Sequence, residues 1–214
     1  MFDRKSKSRT TQLLVAATIA ASTLGFMGSA FAQAPAAQPS RIRGEVVSLT
    51  GDTLIVHRTN ADNVTIDFKS DVGVGAVKNV KLSDIKPNAY VGAASVPGPD
   101  GKLTAREVLV FPESMRGNGD GHYAWDLLPG SMMTNANVDT VVQSSNGRDL
   151  TLSYKGGTKV VSVPESAPVV TFTEAARSDV VAGKKVFIIA TMTEPGKYVA
   201  RRVIVEKDGV APPM

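Results

Sequence analysis

The decapeptide GKLTAREVLV at residues 101–110 returns at residues 196–205 as GKYVARRVIV, an offset of 95 residues. The same offset sets Ser83, Asp84 and Ile85 on Ser178, Asp179 and Val180, and Val91 on Val186, with no gap between. Upstream, an offset of 96 matches Ile42 with Val138, Val46 with Val142, Ser48 with Ser144, Gly51 with Gly147 and Leu54 with Leu150. A one-residue shift near Phe68 reconciles the two. Distant blocks that agree at one spacing are the mark of a duplicated module.

Within each copy the apolar runs are short, rich in β-branched residues and bounded by turn formers. In the first copy, residues 42–49, 53–58, 63–68, 89–96 and 102–111 read as strands. In the second, residues 138–144, 149–154, 159–163, 184–191 and 197–206 do. Leu54 and Val56 point one way and Thr53 the other, as a half-buried strand requires. Thr50-Gly51-Asp52 and Asn146-Gly147-Arg148 supply hairpin turns. Asn88 faces Gly183 in the repeat, and these residue types best tolerate a left-handed turn, here one feeding a strand. Residues 80–85 and 173–180 suit a short helix or turn. Five strands with one such interruption predict an all-β fold of two tandem, small, OB-like barrels, at 41–111 and 134–209. A barrel of 70–75 residues buries just over ~60% of its unfolded surface, so each core is marginal alone. The two are expected to pack together or to share a cover.

The N-terminus reads as an export signal. Arg4, Lys5, Lys7 and Arg9 precede an apolar, small-residue run over 13–28, and Ala30-Phe31-Ala32 makes an A-x-A cleavage site. Residues 1–32 are therefore expected to be removed on a Sec-type route to the periplasm or beyond, followed by a disordered Pro/Ala/Gln leader at 33–40. The remainder keeps 20 of the 24 Lys and Arg and 19 of the 20 Asp and Glu, a net charge of +1. The high whole-chain pI of about 9.3 thus belongs largely to the signal, and nucleic acid is not expected as a partner. The mature chain has no run long and apolar enough for a membrane span. With no cysteine, disulfides, Cys-zinc sites and thiol chemistry are excluded together.

One stretch has no counterpart in the repeat: the connector PESMRGNGDGHYAWDLLPGSMM at 112–133, which holds the only Trp (Trp125), His122, Met115, Met132 and Met133. Three readings are open. In the first, Tyr123, Trp125, Leu127 and Leu128 plug the groove between the barrels. In the second, a helical turn puts His122 and Asp126 on one face, and Met115 and Met132 add thioether ligands for copper or another metal ion. In the third, Arg116, Tyr123 and Trp125, with His122 and Asp126, line a site for a small ligand or envelope protein. No catalytic set is complete. Ser83-x-x-Lys86 lacks its companion motifs and has Val181 in place of the Lys in the second copy. The function expected is binding or envelope interaction without catalysis, with a soluble metal-binding accessory as the alternative. The residues 210–214 read as a tail.

The pattern G-x-V-x-S-x-x-G-x-x-L-x-V at 44–56, then S-D-I-K-x-x-x-Y-V-G and D-G-K-x-x-A-x-x-V, resembles a family of secreted bacterial β-barrel domains of unknown function. The connector is similar to that of small exported alphaproteobacterial proteins with the same tandem arrangement, some nominally labelled metal ABC transporter permease. The likeness covers nearly the whole mature chain and implies the barrel fold and export. It implies no activity, and a permease would need several membrane spans.

Overall fold

The computed structural model describes residues 39–59, 61–98, 102–144 and 147–213. The expected signal at 1–32 and most of the leader lie outside the described residues. Ser40, placed in the leader from sequence, instead opens the first strand and pairs with Ala190. Thirteen strands follow in chain order: β1 (Ser40–Thr50), β2 (Thr53–Arg58), β3 (Asn63–Asp67), β4 (Gly73–Asn79), β5 (Tyr90–Pro97), β6 (Leu103–Val110), β7 (Gly121–Ala124), β8 (Met132–Ser144), β9 (Gly147–Tyr154), β10 (Gly157–Pro164), β11 (Val169–Glu174), β12 (Lys185–Glu194) and β13 (Lys197–Val205). The all-β class is as the periodicity predicts. Short 3-10 turns sit at Leu82–Asp84 and Arg177–Asp179, inside the two stretches expected to interrupt the strands. Asn88 (φ 67°) and Gly183 (φ 84°) take up the left-handed turn that each was expected to make.

The strands close into two five-membered rings, but the rings are not the two sequence halves. β1, β2 and β3 are joined by β12 and β13: β1 pairs antiparallel with β12, and β3 parallel with β13. β8, β9 and β10 are joined by β5 and β6 through the corresponding antiparallel and parallel pairings. Each ring has the strand order of an OB barrel with its last hairpin supplied by the other repeat. The boundaries 41–111 and 134–209 therefore mark copies in sequence, and each copy contributes to both barrels.

The cause of the exchange is a strand that the periodicity did not reveal. β4 (GVGAVKN) is rich in glycine and short side chains and shows no clear alternation. It runs parallel to β13 and antiparallel to its own repeat mate β11. Val77 pairs directly with Phe172, its counterpart 95 residues on, so the pseudo-two-fold axis passes through that pair. A chain leaving β3 along β4 is carried through the axis into the other barrel. The sequence TMTEPGKY at 191–198 closes the β12–β13 hairpin on the far side.

Strand register also revises the repeat alignment. Val56 pairs with Val46, and its counterpart Leu152 with Val138. Val46 therefore matches Val138, and not Val142, while Ile42 matches Thr134. The true offset in the first strand is 92, and the β8–β9 hairpin is four residues longer at its tip. Both first strands carry a bulge at the equivalent place, Val46/Ser48 and Val138/Thr140.

Three apolar clusters result. Leu54, Ile66, Phe68, Ile188 and Val203 are among those filling one barrel; Val91, Val108, Leu150, Leu152 and Val161 are among those filling the other. The third lies between them: Val77, Leu109, Val170, Phe187 and Ile204, with Phe111, Trp125, Phe172, Ile189 and Val210 packed on it. This shared layer answers the marginal size of each barrel, because strands from both rings bury their outer faces in it. Val210 belongs to this cluster and bridges to Lys207, so the segment read as a tail is docked at its start. Arg177 stacks 4.1 Å above Phe68 and donates to the carbonyls of Phe68 (2.7 Å) and Gly51 (2.6 Å), which closes the floor of the first barrel.

Candidate functional site

The connector is ordered by a series of side-chain locks. Its first turn, Glu113–Met115, places Arg116 to donate to Glu113 (2.6 and 2.7 Å), to the carbonyl of Asn88 (2.8 Å) and to Asn137 Oδ1. The Tyr90 hydroxyl donates to the Asn118 carbonyl at 3.1 Å, and burial pushes its pKa up to about 12, aided by Asp120 and Tyr123 against Arg116. β7 then pairs with the start of β8, so Met132 and Met133, assigned to the connector from sequence, are strand residues. Ser131 closes the last turn by donating to the carbonyls of Trp125 and Leu128. The connector thus pairs with the β5–β6–β8–β9–β10 barrel and reaches the other one through Tyr123, Trp125 and Asp126. There Asp126 accepts from Arg43 at 2.9 Å and lies 3.8 Å from Arg41, while Arg41 stacks 4.1 Å over Trp125.

These contacts separate the residues grouped for a metal. His122 lies in β7 and Asp126 in the bend after it, not on one helical turn; four residues of extended chain span roughly 13 Å, against roughly 6 Å for one helical turn. His122 Nδ1 bonds the Thr134 hydroxyl at 2.8 Å, with its ring stacked against Tyr154. Burial, and then the charge of Lys159, hold its pKa below the ordinary histidine value. Asp126 is spent on the two arginines. Met115 sits in the first connector turn and Met132 at the start of β8, opposite Ala124. Among the described residues no three His, Cys, Asp or Glu converge as a metal site. Of the expected plug, Leu128 is 44% exposed and takes no part.

Tyr123 and Trp125, by contrast, do meet between the barrels. They wall a cavity of about 140 Å³ together with Gly92, Glu107, Leu109, Phe111, Met133, Asn135, Phe187 and Ile189. Arg116, grouped with them from sequence, lies elsewhere. Gly92 stands where the other copy has Phe187, which leaves space on this side of the pseudo-axis. A Cβ on Gly92 would come 2.7 Å from Asn135 Oδ1 and 3.2 Å from the Phe111 ring. The missing side chain is thus both required by close packing and responsible for the space.

The polar groups of this wall are unusual. Glu107 is 2% exposed, and its Oε2 has no hydrogen-bond partner. Asn135 Oδ1 and Trp125 Nε1 are likewise buried without partners. Asn135 Nδ2 donates to the Asn118 carbonyl (3.2 Å) and to the Tyr123 hydroxyl (3.1 Å), which fixes the amide orientation. Burial pushes the Glu107 carboxyl up to about 8, while the Arg43 guanidinium pulls the other way. Burial also raises the Tyr123 phenol, against Arg41. Buried polar groups are ordinarily satisfied, so the clustering of three unpaired atoms on residues around one cavity marks it as the candidate site.

Glu107 and Asn135 were not singled out in the sequence, for definable reasons. A bulge between Ala94 and Ser95 leaves Arg106 as the extra residue of β6, which turns Glu107 from the barrel interior into the shared layer. The adjoining run Val108-Leu109-Val110 is the available signal: a strand buried on both faces makes a neighbouring carboxylate conspicuous. Asn135 was hidden by the alignment, since at the true offset of 92 it takes the place of Arg43.

Three larger hollows, about 390, 620 and 240 Å³, lie beside the 3-10 turns. They are lined by exposed residues such as Lys81, Val47 (45% exposed) and Val181 (49%), and contain no buried unpaired carboxyl. The chemistry therefore favours the smaller, inter-barrel cavity. Comparison with family models, curated proteins and solved structures finds no match.

Proposed function

We propose that the protein is a non-enzymatic binding module of the periplasm whose ligand sits in the inter-barrel cavity. The export reading rests on the basic and apolar N-terminal sequence with Ala30-Phe31-Ala32. Among the described residues no helix is long and apolar enough to cross a membrane. The observation that carries the binding reading is the coincidence of Glu107, Asn135 and Trp125, each with a buried unpaired polar atom, around one apolar cavity. Sites of this kind are mostly apolar with a few polar groups that fix orientation. The wall holds one carboxyl and one phenol, with no histidine, serine, cysteine or lysine beside them, a set suited to holding a molecule and not to turning it over.

A dry cavity of about 150 Å³ accepts a benzene-sized molecule, so the expected ligand is one ring or an equivalent short chain carrying a polar group. Titration with single-ring compounds while following Trp125 fluorescence is expected to saturate, because the indole is the only one in the chain and lines the cavity. Absence of saturation for every ring compound, charged or neutral, would remove the reading.

A further inference from the structure

Resting on that reading, we propose that the ligand is a primary amine borne on a small aromatic or apolar body, with its ammonium group held by Glu107 and Asn135. The hydrogen-bond demand of the wall selects this class. Two of the three unpaired atoms, Glu107 Oε2 and Asn135 Oδ1, accept. Asn135 cannot flip to offer a donor without losing its bond to the Asn118 carbonyl and setting Oδ1 against that oxygen. A ligand rich in N–H donors satisfies both acceptors, whereas an ether, a carboxylate or a bare hydrocarbon leaves them orphaned.

The remaining wall fits the same class. Phe111, Tyr123, Trp125 and Phe187 surround the space, and aromatic faces attract a desolvated cation. The nearby guanidinium groups are partly neutralised. Arg43 and Arg41 do not line the cavity, and both lie against Asp126 outside it. The charged or titratable groups facing Glu107 are then Arg43, the Tyr123 phenol in the same wall, and the Arg41–Asp126 pair at the connector. Arg202, its repeat counterpart, stacks on Phe172 at 5.3 Å. Arg43 alone leaves the carboxyl raised to about 8; an arriving ammonium in direct contact adds to that counter-charge, and the carboxyl ionises as it binds.

The proton balance gives the test. Below about pH 8 the empty site holds its proton on Glu107, and the free amine is already protonated. Binding forms a carboxylate–ammonium pair and releases one proton to the buffer. Calorimetric titration of the mature chain with benzylamine, benzyl alcohol, toluene and benzoate, in buffers of different ionisation heat, reads this directly. Benzylamine is expected to bind at least tenfold more tightly than the other three, with about one proton released at pH 7. Its affinity should rise about tenfold per pH unit from 6 to 7 and level off above about 8. In Glu107→Gln the amine preference and the proton release are lost while toluene still binds. Benzyl alcohol, toluene or benzoate binding as tightly as benzylamine overturns the amine inference and leaves the cavity reading intact. Amine binding without proton release also overturns it. If none of the four binds, both fall.

Discussion

Glu107→Gln is expected to make the protein more stable at pH 9 and to leave it nearly unchanged at pH 4.5. In the folded chain burial holds the carboxyl up to about 8, while an unfolded chain releases the proton near the ordinary value of 4.5. Between those values folding takes up a proton. Stability from this site is fully present below pH 4.5, declines as pH rises toward 8, and is lost above it. A shift of that size corresponds to at most about 5 kcal/mol, since each pH unit of difference carries 1.36 kcal/mol. Glutamine cannot ionise and retains the shape, so its denaturation curve lacks that decline. Urea unfolding at pH 5, 7 and 9 measures the difference between variant and wild type. Other titrating groups, including Glu113 and Asp179 with their lowered pKa values, cancel in that difference. Parallel pH dependences would mean that Glu107 is ionised in the folded protein.

Phe187→Ala is expected to cost about 3–5 kcal/mol, the usual penalty for emptying a buried aromatic site. Phe187 is 3% exposed, belongs to the cluster between the barrels, and has the Arg43 guanidinium 5.1 Å from its ring centre. It comes from β12, whose other face fills one barrel, and it walls a cavity whose opposite side is the other barrel. Its loss therefore enlarges the hollow and loosens both rings together. Chemical denaturation should show one cooperative transition at a lower midpoint, with fluorescence of Trp125 and far-ultraviolet circular dichroism coincident. A loss below 1 kcal/mol, or a second transition, would contradict a shared layer.

What the sequence revealed and what it concealed divide along physical lines. Alternating apolar runs and hairpin turns marked ten of the thirteen strands, because those strands each put one face in a barrel core. The left-handed positions at Asn88 and Gly183 were legible because so few residue types tolerate them. β4 escaped because glycine and alanine carry no alternation, and with it went the exchange of hairpins, which depends on where β4 leads. Periodicity reports which face of a strand is buried and is silent on which strand lies beside it. The connector was legible as the non-repeating part. Its Tyr123 and Trp125 do line the cavity, but His122 and Asp126 were grouped on a helical turn, and the chain there is an extended strand running into a bend, which sets them far apart. Glu107 was concealed by a single bulge residue, Arg106, which changed the face it occupies.

The exchange creates the shared layer and with it the cavity, so the most direct test addresses strand pairing. In the exchanged fold Glu45 pairs with Lys185, beside the Val46 N–H to Lys184 carbonyl bond of 2.9 Å. That makes it a non-hydrogen-bonded antiparallel pair, with Cα atoms about 4.5 Å apart and within disulfide reach. Both side chains are exposed and the chain contains no cysteine of its own. Without exchange, β1 would lie against β5, and positions 45 and 185 would belong to different barrels. The double variant Glu45→Cys, Lys185→Cys is expected to form an intramolecular disulfide nearly quantitatively under mild oxidation, read by peptide mass mapping of the monomer. Free thiols at both positions in a folded, oxidised monomer would contradict the exchanged barrels.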